Sequence, residues 1–240
     1  MTELLYRDDP YLAEAAARVV AHTPEGGVVL DQTTFYPTGG GQPGDSGRLE
    51  WDGGQTHIAT TVHGEGAVIV LVPAAGSDPL PQPGTPVTQR LDWNRRHRLM
   101  CMHTGLHLLS VVVPLPVTGG AVGAEKSRLD FDMPEAPEDR DAIEARLNDL
   151  VARDLPVTEE WITDAELAAN PGLVKTMSVA PPAGQGRVRL IRIGQGETGV
   201  DLQPCGGTHV ARTGEIGALR LGKIEKKGRR NRRVYLHLAG

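Results

Sequence analysis

The sequence predicts an α+β protein: a small N-terminal β-barrel-like domain over residues 1–92, then an α+β domain over 93–240 whose antiparallel sheet is covered by helices. Three observations carry this. Glycine (30) and proline (18) are abundant in 240 residues, and in the first ninety positions they separate short alternating runs, the pattern of strands joined by tight turns. A single long apolar run with helical spacing follows at 94–113. The chain then closes on two alternating runs either side of Gly228, which reads as a hairpin.

Taken in order, Leu4 to Arg7 reads as a short strand. Asp9-Pro10 reads as a helix start, an N-cap carboxylate followed by a proline in the first turn, with Leu12, Ala16 and Val19 at helical spacing behind it. Val28 to Leu30 is a strand. The stretch containing Gly39-Gly40-Gly41 is too costly in chain entropy for regular structure. Strands are expected at Arg48–Trp51, Thr56–Val62 and Ala67–Val72, with Asp52-Gly53-Gly54 as hairpin chemistry between the first two. A proline-rich loop spans Pro73 to Pro86, and Val87 to Asp92 is the last strand of this unit.

The helix over 94–113 has Leu99, Met102, Leu106, Leu109 and Val113 as its core stripe, with His103, His107 and Ser110 on a neighbouring face. Pro114 and Pro116 end it. Ser127–Asp132 reads as a strand and Asp139–Asp154 as an amphipathic helix with Ile143, Leu147, Leu150 and Val151 inward. Val157–Ile162 is a strand, Thr163–Ala169 a short helix, and Arg187–Ile193 a strongly alternating strand. Ala218–Glu225 and Arg232–Leu238 form the closing hairpin.

Composition narrows the function. Hydrophobic content is 39% and charged content 23%, with only 4% aromatic residues, so a core must rest on aliphatic side chains. A formal net charge of −5 excludes a globally basic nucleic-acid binder, so RNA contact must come from a local patch. Two cysteines, Cys101 and Cys205, cannot make a disulfide framework and suit a reducing compartment. There is no basic start followed by an apolar segment at the N-terminus and no run long enough to span a bilayer. The expectation is a cytoplasmic protein with no membrane association and no obligate protein partner.

The chemistry lies in two pairs of equal spacing. His103 and His107 are one helical turn apart and lie on one face. Cys205 and His209 flank a Gly-Gly that lets the backbone bend. Either pair alone is more often ordinary. Together, three imidazoles and one thiolate are a natural ligand set for one tetrahedral zinc. A closed four-ligand site fits a structural zinc, and a catalytic zinc needs room for water or substrate; the same four residues admit both readings. No G-x-S-x-G elbow is present, so a serine hydrolase has little support. The glycine-rich stretch lacks the Gly-Lys-Ser/Thr of a phosphate loop.

The motifs His103-Thr104-Gly105-Leu106-His107-Leu108-Leu109, Cys205-Gly206-Gly207-Thr208-His209-Val210 and Thr213-Gly214-Glu215-Ile216-Gly217, together with Val29 to Gly47, resemble the editing domain of alanyl-tRNA synthetase. They are most similar to its free-standing relatives, the AlaX alanyl-tRNA editing proteins. The resemblance runs over most of the chain with the motifs in family order. The N-terminal β unit and the glycine-rich motif point to the medium-length type. The resemblance implies hydrolysis of the ester joining a wrong amino acid, serine or glycine, to alanine tRNA. It also implies that Gly39, Gly40, Gly41 and Gln42 abut the substrate site.

Further candidates follow. Thr104 and Thr208 each adjoin a ligand, and their hydroxyls are candidates for catalysis and for substrate binding, against the plainer role of satisfying backbone carbonyls. Glu125 is a candidate base or ammonium partner, against a solvated loop charge. Two basic clusters are candidates for tRNA phosphates: Arg95, Arg96 and Arg98 leading into the histidine helix, and Lys223, Lys226, Lys227, Arg229, Arg230, Arg232 and Arg233, broken by Glu225. The competing functions are a zinc-stapled RNA-binding module without catalysis and an editing domain for another tRNA such as threonine tRNA.

Overall fold

The computed structural model describes residues 2–76, 79–175 and 186–239. The chain divides into two units, Met1–His97 and Arg98–Gly240. In the first, β1 (Glu3–Leu4) leads into a single helical turn, α1 (Leu5–Asp8), and then β2 (Glu14–His22), β3 (Val28–Leu30), β4 (Gln32–Thr33), β5 (Gly47–Trp51), β6 (Gly54–His63), β7 (Ile69–Pro73) and β8 (Pro86–Leu91). Six of these close a barrel in the order β2-β3-β7-β6-β5-β8, and β1 pairs with β4 in parallel. Val19, Val28, Leu30, Phe35, Leu49, Ile58, Leu71 and Val87 fill it. Residues 77 and 78 of the expected proline-rich loop lie outside the described residues.

Two expectations for this unit are corrected. The predicted strand Leu4–Arg7 is a strand only at Glu3–Leu4, and the chain turns helical at Leu5. The predicted helix after Asp9-Pro10 is instead the strand β2. Alanine favours a helix locally, but burial here has a period of two: Ala17 and Val19 point inward while Ala16, Arg18 and Val20 are exposed. Pairing with β8 on one side and β3 on the other closes the barrel, and this tertiary gain overrides the local preference.

The glycine-rich segment is a network of turns. Gly39 and Gln42 exchange backbone hydrogen bonds of 3.0 and 2.9 Å around Gly40 (φ +57°) and Gly41 (φ +83°), a turn whose two left-handed residues favour glycine. Its base is fixed by Asp45, which accepts from the Tyr36 amide at 2.7 Å and pairs with Arg96 (Nε–Oδ2 2.9 Å). Arg96 is fully buried and also donates to Thr34 O (2.7 Å) and Pro10 O (2.9 Å).

The helix α2 (Trp93–Val112) starts in the first unit and continues into the second. From Leu99 to Ser110 every residue is buried, so the expected apolar stripe is in fact a helix covered on all sides. At Gly105 the packing is close: a Cβ there would stand 3.3 Å from a Leu236 methyl, which would have to give by a few tenths of an ångström, and 3.5 Å from Leu219, an ordinary contact. Next come β9 (Val117–Ala121), β10 (Lys126–Asp132), α3 (Arg140–Ala152), β11 (Val157–Thr163), α4 (Asp164–Ala169), β12 (Arg187–Ile193), β13 (Asp201–Pro204), β14 (Leu219–Lys226) and β15 (Asn231–Leu238). They form a four-stranded sheet, β14-β15-β10-β9, and a three-stranded sheet, β11-β12-β13. Asp139 caps α3 through Ala142 N (2.8 Å), and Thr163 with Glu166 makes a capping box on α4. Strands β9 and β13 have no counterpart in the sequence reading. β9 contains Gly119 and Gly120, and β13 is four residues ending at Pro204, so neither shows the β-branched alternation that marks a strand.

The buried Arg96–Asp45 pair sets the stability of the glycine-rich turn. Asp45→Ala, which strands the guanidinium, is expected to cost about 3–5 kcal/mol in urea unfolding followed by tryptophan fluorescence. A loss below about 1 kcal/mol would contradict it.

Candidate metal centre

Elements of the second unit bring the two sequence pairs together. His103 and His107 stand one turn apart on α2, while Cys205 and His209 lie in the loop leaving β13. The four candidate ligand atoms all lie within 4.8 Å of one another. Cys205 Sγ is 3.2 Å from His209 Nε2 and 3.5 Å from His103 Nε2. All three imidazoles are buried, and Cys205 is half-buried. The four residues are placed to hold one metal ion.

His107, His209 and Cys205 are each held from behind. His107 Nδ1 is 2.9 Å from Asp201 Oδ2, which turns Nε2 toward the cluster, a carboxylate–histidine arrangement that fixes both tautomer and ring orientation. Asp201 is itself buried, accepts from Gln203 Nε2 at 2.7 Å and forms an ion pair with Lys175. On the other side of the cluster, Thr104 Oγ1 is 3.1 Å from His209 Nδ1, so His209 likewise presents Nε2. Arg189 holds the ligand loop, donating from Nη1 to Cys205 O (3.0 Å) and Gly207 O (2.8 Å). Neither Gly206 nor Gly207 takes a positive φ. The loop therefore turns with ordinary backbone angles, and the Arg189 guanidinium maintains the bend.

These contacts set the charge states. Burial pushes the Cys205 thiol up, but the His103 and His209 imidazoles outweigh it and hold the group well below its ordinary range, as a thiolate. Burial lowers His209 to about 3, leaving it neutral. Burial also opposes charge on His107, yet the hydrogen bonds to Asp201 and Cys205 raise it to about 9. Asp201 stays ionised, because His107 and Lys175 outweigh the cost of burying it. Cys101 is a different kind of thiol: burial raises it to about 11, and it donates to Glu215 O at 3.5 Å.

The remaining candidates fall as follows. Thr104 belongs to the cluster through His209, and Thr208 is buried beside it in sequence. Glu125 sits on the exposed turn between β9 and β10, with its carboxylate 3.0 Å from Arg98 Nη2. Gly39, Gly40, Gly41 and Gln42 belong to the first unit, where Gln42 is buried and the glycine tip is exposed. Arg95 donates to Gly44 O at 2.9 Å. Arg96 is corrected as a tRNA contact: it is fully buried, and its guanidinium is bonded to Asp45, Thr34 and Pro10. The second basic cluster forms the β14–β15 hairpin. There Lys226, Lys227 and Arg229 are exposed, Lys223 and Lys227 pair with Glu225, and Arg230 and Arg233 pair with Asp132 and Asp130. The two aspartates come from β10, far away in sequence, so local charge counting misses them. It also misses Asp201, Gln203, Lys175 and Arg189. Only Asp201 and Gln203 carried a signal, their closeness to Cys205.

The model for the second additional domain of threonyl and alanyl tRNA synthetases matches residues 188–235, a span containing Cys205 and His209. A class II (A) tRNA synthetase model matches residues 11–95. The alanyl-tRNA editing protein AlaX-M of Methanosarcina acetivorans is 34% identical over 99% of both chains. This chain belongs to the AlaX-M family. The AlaX-M protein of Methanosarcina barkeri matches at the same identity and coverage. The alanine–tRNA ligase of Pyrobaculum calidifontis is 38% identical over 94% of this chain but only 25% of its own length. The chain thus spans about a quarter of the ligases it matches and nearly all of the AlaX-M proteins.

The charge states give a test. At pH 7 His107 carries a proton that a metal must displace, whereas Cys205 and His209 are ready to bind. Metal titration followed by calorimetry in buffers of different ionisation enthalpy is expected to release that proton. Affinity is expected to tighten about tenfold per pH unit and to level off above pH 9. Binding with no proton release at pH 7 would contradict it.

Proposed function

We propose that the protein is a trans-editing hydrolase that deacylates alanine tRNA carrying the wrong amino acid, with Ser-tRNA as the principal substrate and Gly-tRNA as the second. The single observation that carries this reading is the converged three-histidine, one-cysteine cluster in a chain that matches AlaX-M proteins end to end. The physical rationale is that a synthetase pocket built for alanine cannot strongly exclude the smaller glycine or a side chain that adds one hydroxyl, so a second site must remove the errors. Such a substrate places the protein in the cytoplasm.

The metal is zinc in this proposal. Zinc bonds of about 2.3 Å to sulfur and 2.0–2.1 Å to nitrogen put tetrahedral S and N ligands about 3.6 Å apart, in keeping with Cys205–His103 and Cys205–His209 separations of 3.5 and 3.2 Å. When bound, zinc would supply a Lewis acid that polarises water or the ester. The protein's own groups do the rest. Asp201, seconded by Lys175, aims His107. Thr104 aims His209, a positioning role rather than a direct catalytic one. Arg189 keeps Cys205 in place. Glu125 is assigned to the substrate's ammonium group and Thr208 to its side chain, and the Gly39–Gln42 turn to substrate recognition. Lys223, Lys226, Lys227, Arg229 and Arg230, with Arg95, are assigned to tRNA phosphates.

Deacylation of Ser-, Gly- and Ala-tRNA, all on alanine tRNA, tests the reading. The expected result is rapid loss of Ser-tRNA, sparing of Ala-tRNA, and a fall of at least about a hundredfold in His107→Ala with loss of its metal. If every ester survives while tRNA still binds, the protein is a metal-stapled RNA-binding module instead. Asp201→Asn is expected to weaken metal binding by about 10–100-fold without unfolding the protein, read by competition with a chelating dye; unchanged affinity would remove Asp201 from its assigned role.

A further inference from the structure

The three-stranded sheet β11-β12-β13 carries a feature that the metal centre does not use. Trp161 on β11 is 42% exposed, in a chain with only three tryptophans. The Arg187 guanidinium on β12 lies over its ring, 5.4 Å from the centroid. Register places this pair relative to the ligand loop. Trp161 is directly opposite Arg189, and on the other side of β12 Leu190 is opposite Pro204, with the Cys205 amide donating to Arg189 O at 3.2 Å. Trp161, Arg189 and Cys205 therefore form one row across three strands. Residues on one row point to one face, so Trp161 shares its face with Gln203 and Asp201, two residues apart on β13, and with Arg189, whose guanidinium grips the ligand loop. Two strand spacings separate the Trp161 backbone from Cys205, roughly 10 Å.

We propose that Trp161 and Arg187 form a stacking platform for an unpaired nucleobase at the 3′ acceptor end of tRNA, next to the metal centre. This rests on the editing reading given above. The ester to be cleaved sits on the terminal ribose, so the bases beside it must lie about one nucleoside away from the cluster, which is the span the row provides. Single-stranded ends are recognised by stacking on aromatic rings and arginine planes, whichever base is presented. Trp161 offers a partly exposed aromatic ring, and Arg187 adds a cation that both extends the stack and attracts phosphate. The two side chains hold each other diagonally across the strands, which limits the rotamer freedom lost when a base docks.

The test measures binding of a fluorescein-labelled alanine acceptor minihelix, with and without its unpaired 3′ tail, to zinc-loaded wild-type protein and to Trp161→Ala, Trp161→Phe and Trp161→Leu. Deacylation of Ser-tRNA is measured alongside. Trp161→Ala is expected to weaken binding of the tailed minihelix about tenfold or more and to raise KM with kcat unchanged. Trp161→Phe should stay within about threefold of wild type, Trp161→Leu should behave like the alanine variant, and the tailless minihelix should not distinguish any of them. Unchanged binding in Trp161→Ala, an equal loss on the tailless minihelix, or full rescue by leucine would overturn the platform. Failure of the two ideas is separable. If wild type cleaves nothing but tail-dependent binding still falls in Trp161→Ala, stacking stands and editing falls; if cleavage is normal and KM is unmoved in Trp161→Ala, editing stands and stacking falls.

Discussion

Three imidazoles and a thiolate crowded together largely away from solvent are a costly arrangement, and the second unit is built around containing that cost. Polar groups withdrawn from water must be bonded or they destabilise the fold. Here the outward-facing nitrogens of His209 and His107 are bonded by Thr104 and by Asp201, and Cys205 Sγ lies against His103 Nε2 and His209 Nε2. The buried carboxylate of Asp201 needs its own counter-ion, supplied by Lys175. The result is a cluster in which the His107 and His209 rings are oriented by the protein's own groups, an arrangement that favours metal affinity.

That constraint explains the surroundings. The histidines ride on a helix whose residues from Leu99 to Ser110 are all buried, with Gly105 packed against Leu219 of β14 and Leu236 of β15. Cys205 and His209 come instead from a loop, which a sheet has to stiffen. Strand β12 does so through Arg189, whose side chain grips the loop carbonyls while its own carbonyl accepts from Cys205.

Much of this was legible in the sequence, and for identifiable reasons. His103 and His107 announced themselves because helical spacing converts sequence directly into a shared face, and Cys205 with His209 because cysteine is so scarce here. The long helix, the capped α3 and α4, and the closing hairpin each carried a strong local signal. The strand at Glu14–His22 did not, since its alanines favour a helix until barrel pairing decides otherwise. Asp201 and Gln203 offered only their closeness to Cys205, while Lys175 and Arg189 were invisible for a different reason: their role is set by tertiary neighbours, and a lone Lys or Arg in sequence has no spacing to betray it. The same applies to Arg96, which looked like a phosphate contact among basic neighbours but is fully buried against an aspartate about fifty residues away in the chain.

The measurement that bears most directly on the account is zinc-edge X-ray absorption of the purified protein, compared with Cys205→Ser. The ligand set described here predicts one sulfur at about 2.3 Å and nitrogen neighbours at about 2.0–2.1 Å, with the sulfur shell lost in the variant. A first shell with no sulfur, or one unchanged by Cys205→Ser, would contradict it.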